Sequence, residues 1–130
     1  MKIIVDASVV IAVLVNEPQK GRIVKITEGA DLLAPSSIHW EIGNAFSAML
    51  KRERISLQQA LSALQAYQKI PVRFVDVELI ESLKIVSQTH IYAYDAYLIR
   101  CSMMNKCPLL TLDKNLCKLA KQLGIETIEV

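Results

Sequence analysis

The sequence predicts a single three-layer α/β/α sandwich over residues 1–130, with a central parallel sheet of about five strands. Three observations carry this reading. Short β-branched or leucine-rich runs alternate with longer segments of helical periodicity, in the order β-α-β-α-α-β-α-α-β-α-β, and such alternation builds parallel sheets through right-handed crossovers. Only 4 glycines and 4 prolines occur in 130 residues, too few for an all-β fold with many tight turns. Residues of the AVILMFWYC set make up 52%. That excludes intrinsic disorder and leaves a surplus for strands covered on both faces, or for a partner surface.

Each element has a local reason. Lys2–Val5 is a continuous apolar strand that ends at Asp6-Ala7-Ser8, and helical spacing takes over from Val9. Asp6 or Ser8 is placed to cap that helix. Pro18 is placed as a first-turn residue of a second helix, Gln19 to about Glu28, stopped by Gly29. Leu32-Leu33-Ala34 is the second strand, closed by Pro35-Ser36-Ser37. Ser37 to about Arg52 carries Ile38, Ile42, Ala45 and Met49 on one stripe. Ser56 caps a helix through Lys69, ended by Pro71, so two helices form a hairpin before the third strand, Val72–Val75. Val77 to about Thr89 is amphipathic, whereas Tyr94–Met104 is apolar nearly all round and therefore buried on most sides. Leu109–Leu112 is a fourth strand leading to Asp113, Lys114–Leu123 a last helix stopped by Gly124, and Ile125–Val130 a final strand.

Net charge says little. Lys and Arg total 15 against 13 Asp and Glu, a balance of +2 that falls short of a strong nucleic-acid footprint. Cys101, Cys107 and Cys117 have no CxxC spacing and no neighbouring histidine, so they read as reduced, buried small hydrophobes of a cytoplasmic protein. The apolar start of the chain is broken at Asp6 and lacks a small-residue cleavage site. No run approaches the roughly 18 apolar residues of a membrane span, so no membrane partner is expected.

Position matters more than the sum of charges. Asp6 ends the most apolar strand, Asp113 follows another, Asp95 opens the most apolar helix, and Glu41 lies in a first turn among Ile38, Trp40 and Ile42. Taken singly, each has a plain explanation as a helix cap, a helix-dipole partner or a solvated side chain. Taken together, they belong at the carboxyl edge of one parallel sheet, where ligands gather. Converging carboxylates repel one another and are costly to desolvate. A hard divalent cation such as Mg²⁺ relieves that repulsion. Ser8 follows Asp6 by two, Thr111 precedes Asp113 by two on the expected strand, and Asn44 follows Glu41 at i, i+3. Those spacings suit polar groups that orient carboxylates and metal-bound water.

Val5-Asp6-Ala7-Ser8, Glu41-Ile42-Gly43-Asn44-Ala45, Tyr94-Asp95-Ala96-Tyr97-Leu98 and Leu110-Thr111-Leu112-Asp113, in this order and spacing, resemble the PIN-domain ribonucleases. The VapC-like toxins of type II toxin–antitoxin pairs are the subgroup most resembled. The resemblance spans the chain and implies a PIN-like fold and a metal-dependent endoribonuclease. It implies that Asp6, Glu41, Asp95 and Asp113 hold Mg²⁺ or Mn²⁺, with Ser8, Asn44 and Thr111 in support. It further implies an RNA substrate, a cognate antitoxin protein and a homodimer. Asn115 stands where many relatives carry a further Asp, which weakens a second metal site, although Asn still ligates or orients water. Arg100 stands where relatives often carry a small residue, a place from which it reaches phosphate, an acid or a partner.

Lys51, Arg52 and Arg54, with Lys106, Lys114, Lys118 and Lys121, are the cations within reach of such a substrate, though a charged run is more often a solvated face. No aromatic pair suggests base stacking. Val9, Ile11, Val13 and Leu14 with the apolar hairpin are placed either as core or as a groove for the antitoxin. Two alternatives stand beside this reading. A phosphoacceptor receiver module has similar size and alternation, with Asp76 as acceptor, but pairs adjacent acids after its first strand, where this chain has Ala7-Ser8. A catalytically silent PIN scaffold would not need four acids.

Overall fold

The computed structural model describes residues 1–130. Its elements are β1 (Lys2–Val5), α1 (Ala7–Leu14), α2 (Lys20–Thr27), β2 (Asp31–Pro35), α3 (Ile38–Lys51), α4 (Leu57–Gln68), β3 (Val72–Val75), α5 (Leu79–Thr89), α6 (Ala93–Asn105), β4 (Leu109–Leu110), α7 (Lys114–Gln122) and β5 (Thr127–Ile128). The five strands form one sheet in the order β3-β2-β1-β4-β5, and every pairing is parallel. The expected three-layer α/β/α sandwich is therefore the observed one.

The layers follow from the two-residue period of a strand. Ile3 and Val5 belong to one core with α1 to α4, while Ile4 between them belongs to the other, with α5, α6 and α7. Leu33 and Ala34 divide the same way, as do Leu109 and Leu110. All seven are buried, which is why these strands read as unbroken apolar runs. Chain order runs outward from β1 to β2 and β3, then jumps back to β4 and β5. Right-handed crossovers in opposite directions put their helices on opposite faces. The direction reverses between β1 and β4, and that reversal opens a crevice at the carboxyl ends of these two strands.

Several boundaries differ from expectation. Helix α1 starts at Ala7, because Asp6 takes the cap with extended backbone and its side chain accepts the Val9 N–H. Pro18 lies in the turn before α2, whose flanking residue is Gln19. The fourth strand stops at Leu110 and the fifth covers only Thr127 and Ile128. Ladder pairing ends there because β4 pairs with β1 only through Leu109 and Leu110. Gly29 and Gly124 do stop their helices, at φ of +75° and +78°, where a side chain would be strained. Helix α4 carries the capping box of Ser56 and Gln59. Cys101 and Cys107 are buried free thiols, but Cys117 on α7 is only half-buried. No helix is long and apolar enough to cross a membrane.

Candidate active site

The carboxyl ends of β1 and β4 place the first two acids. Asp6 follows β1 directly and is 5% exposed. Its Oδ1 accepts the Ser8 hydroxyl at 2.6 Å and the Val9 N–H at 3.1 Å, and its Oδ2 accepts a short hydrogen bond from the Thr111 hydroxyl. Both hydroxyls work in two directions. Ser8 Oγ accepts the Leu112 N–H at 3.0 Å, and Thr111 Oγ1 accepts the Asp113 N–H at 3.0 Å. Two small side chains thereby stitch the end of β1 to the end of β4 and fix both Asp6 oxygens.

Asp113 is exposed and caps α7, its Oδ1 accepting the N–H groups of Asn115 at 2.9 Å and Leu116 at 3.1 Å. Thr111 and Asp113 do not share a strand face, since the chain has left the ladder at Leu110. A turn closed by the Thr111 hydroxyl brings them together instead. Glu41 sits in the first turn of α3 and Asp95 in the first turn of α6, both half-buried.

Three of these carboxylates are shifted by burial and by the charges of their neighbours. Burial, then Asp6 and Asp95, push Glu41 up to about 7. Asp95 is raised by burial and by the charges of Asp113 and Asp6. Asp6 is raised by burial and, more weakly, by Asp113, against the lowering pull of its hydrogen bonds. No cation offsets this. The three ion pairs of the molecule, Lys84–Glu81, Arg100–Glu78 and Lys121–Glu129, lie elsewhere. Nor do the side chains converge tightly enough to form a finished cage of three or more His, Cys, Asp or Glu ligands. A hard oxygen-donor set of uncompensated negative charge suits Mg²⁺ or Mn²⁺, and Mg²⁺ uses few carboxylates and keeps several waters. The donor chemistry fits such an ion without a finished cage.

Not every expected residue joins in. Ser8 and Thr111 hold Asp6, but the hydrogen bonds reaching the four acids include none from the side chain of Asn44 or Asn115. Both asparagines are exposed. Arg100 meets an acid: it donates to Glu78 through Nε at 3.1 Å and Nη2 at 2.7 Å, tying the start of α5 to α6. Lys51, Arg52, Arg54, Lys106, Lys114, Lys118 and Lys121 are all exposed, and Lys121 bonds Glu129 at 2.7 Å. Val9 is core, whereas Val13 and Leu14 line an open groove of about 920 Å³ with Met49, Ile55 and Ala63 of the hairpin. An aromatic pair that sequence reading overlooked flanks Asp95: Tyr94 and Tyr97 stand edge to face with centroids 6.2 Å apart. Their i, i+3 spacing on a helix was the available signal.

The PIN domain family model matches residues 3–122. This chain belongs to the PIN-domain family. The strand order points the same way, since a receiver module has the order 2-1-3-4-5 and this PIN domain has β3-β2-β1-β4-β5. Among curated proteins, the PIN domain is 28% identical over 115 residues to Ribonuclease VapC9 of Mycobacterium tuberculosis and to a VapC ribonuclease of Mycobacterium bovis, covering 88% of this chain and 87% of each relative. Among solved structures, it superposes on protein PAE2754 of Pyrobaculum aerophilum with TM-score 0.73 at 23% identity, over 98% of this chain and 83% of that one. VapBC2 of Rickettsia felis, bound to a DNA fragment from its promoter, matches with TM-score 0.70 at 13% identity, over 98% of both chains. VapC20 of Mycobacterium tuberculosis, a toxin that cleaves the sarcin-ricin loop, matches with TM-score 0.65 at 13% identity, over 90% of this chain and 94% of that one.

Proposed function

We propose that this PIN domain is a metal-dependent endoribonuclease, hydrolysing RNA phosphodiester bonds as the toxin of a toxin–antitoxin pair. The observation that carries the proposal is the group of four acids at the β1/β4 edge, Asp6, Glu41, Asp95 and Asp113: burial and the charges of neighbouring acids raise the proton affinity of Asp6, Glu41 and Asp95, with no cation among them. The VapC ribonucleases among its relatives and the VapBC2 and VapC20 structures support the substrate class and the antitoxin partner.

In this reading Asp6, Asp95, Asp113 and Glu41 hold Mg²⁺ or Mn²⁺. A bound ion of this kind supplies an activated water nucleophile and charge stabilisation at the phosphate. The chain's own part is positional. Ser8 and Thr111 lock Asp6 so that its carboxylate does not reorient as substrate enters. Glu41 and Asp95, free of hydrogen bonds that would fix them, would complete the ion's ligand set from the two helix starts. Asn44 and Asn115, exposed at the rim, orient water. The apolar groove beside Val13 and Leu14 takes the antitoxin. Exposed Ile80 and Leu83 on α5 give the homodimer its apolar face.

Purified, partner-free protein is expected to cleave RNA with Mg²⁺ or Mn²⁺, and Asp6→Asn and Asp95→Asn to abolish cleavage while keeping the circular dichroism spectrum and a cooperative melt. The Asn side chain in Asp6→Asn still offers an oxygen to the Val9 N–H, so the α1 cap survives. Wild-type protein that neither cleaves RNA with any divalent ion nor binds one by calorimetry would sink the enzyme reading and leave a silent PIN scaffold.

A further inference from the structure

We propose that the small cavity at the carboxyl ends of β2 and β3 is a base pocket that seats a guanine beside the scissile phosphate; the inference rests on the ribonuclease reading and names what that site selects. The cavity measures about 200 Å³ and is lined by Pro35, Ser36, Ser37, Val75, Asp76 and Tyr97, among others. Pro35 ends β2 and Val75 ends β3, so it opens on the same sheet edge as the four acids. Ser37 lies one helical turn before Glu41, and Tyr97 two residues after Asp95. A nucleotide whose phosphate lay at the acids would have its neighbouring base within reach of this cavity. The volume suits one planar base.

Three features of the lining choose the base. The Tyr97 ring is half-buried and steadied edge to face against Tyr94 at 6.2 Å, a rigid face of the kind on which unpaired RNA bases stack. Asp76 is exposed and takes part in none of the three ion pairs, so its carboxylate is free to accept. Ser37 Oγ is shielded from solvent and has no hydrogen-bond partner, although buried hydroxyls normally have one. A carboxylate has acceptors only. Guanine alone presents two adjacent donors, N1–H and N2–H₂, on its Watson–Crick edge. Adenine and cytosine set one donor beside an acceptor, and uracil sets its N3–H between two carbonyls, so each would turn lone pairs toward Asp76. Guanine O6, next to N1–H, is an acceptor for the Ser37 hydroxyl. A carboxylate pair to two N–H donors is charge-assisted and geometrically selective.

The test compares wild type with Asp76→Asn on short single-stranded RNAs that differ only in the base flanking the cut, with Mg²⁺ or Mn²⁺. Wild type is expected to show kcat/KM on the order of tenfold or more higher for guanine than for the other three bases. Asp76→Asn, a change at an exposed position, is expected to lose that preference, with kcat/KM for the guanine RNA falling and the values for the four bases converging. Absence of a guanine preference in wild type, or its survival in Asp76→Asn, overturns the proposal. Failure of wild type to cleave any RNA would be a failure of the ribonuclease reading. In that event NMR titration with guanosine 5′-monophosphate decides the pocket. Shifts at Ser37, Asp76 and Tyr97 that adenosine 5′-monophosphate does not produce, and that Asp76→Asn abolishes, sustain it. Equal shifts with both nucleotides, or none, overturn it.

Discussion

Removing a charge from the acidic edge should make the metal-free protein more stable, and Glu41→Gln is the cleanest case. Glu41 is raised from 4.5 to about 7 by burial and by the charges of Asp6 and Asp95. A carboxyl whose proton affinity is higher in the folded than in the unfolded chain contributes stability below its unfolded value. That contribution is lost as pH rises through its folded value. The penalty on the ionised form is therefore absent near pH 4, grows between 4.5 and about 7, and is complete at pH 8. At ~1.4 kcal/mol per pH unit the ceiling is roughly 3 kcal/mol, and partial exposure with solvent screening brings it to about 1–2 kcal/mol. Glutamine keeps the shape and never ionises. With EDTA at pH 8, Glu41→Gln is expected to melt several degrees above wild type, on the order of 5 °C. At pH 4 the two should melt together. Addition of Mg²⁺ should narrow the gap at pH 8, since an ion that binds the native state stabilises wild type by mass action. A variant that melts at or below wild type at pH 8, or gains equally at both pH values, would refute the penalty that burial and the charges of Asp6 and Asp95 place on ionised Glu41.

Two further outcomes test the framework around it. Thr111→Val removes the hydroxyl that donates to buried Asp6 and accepts the Asp113 N–H; urea unfolding should show a loss of about 2–3 kcal/mol, with Thr111→Ser recovering most of it. Ile99→Ala opens a cavity at a fully buried position of α6, and the same measurement should show a loss of about 3 kcal/mol with metal affinity little changed.

Most of the fold was legible because its signals are local and repeated. Apolar runs such as Lys2–Val5 mark buried parallel strands, and Ser56 marks a helix start. Helix ends were less legible where the left-handed residue is not glycine: His90 closes α5 at φ 61° and Lys106 closes α6 at φ 52°, with no composition cue. Leu109–Leu112 read as a strand throughout, but whether Thr111 and Leu112 pair depends on β1 ending at Val5, a tertiary fact. At the site, four acids and two hydroxyls were legible from their places at element ends. The Ser37–Asp76–Tyr97 cavity was not, because it joins residues from β2, β3 and α6 that share no spacing.

A helix cap does not exclude a further role for the same carboxylate. Asp6 does cap α1 and Asp113 does cap α7. A carboxylate has two oxygens, however, and capping uses one. Asp113 spends Oδ1 on two backbone N–H groups and leaves Oδ2 uncommitted by them. Asp6 caps through Oδ1 and is held by Thr111 through Oδ2, each oxygen retaining further acceptor capacity. The cap fixes each carboxylate at the carboxyl end of its strand, beside the crevice where strand order reverses. Glu41 and Asp95 have no such anchors, and each is raised by the charges of two neighbouring acids as well as by burial. The edge thus combines two fixed acids from strand ends with two adjustable ones from helix starts. In the ribonuclease reading, that division would leave Asp6 and Asp113 to position an ion and Glu41 and Asp95 to complete its ligand set.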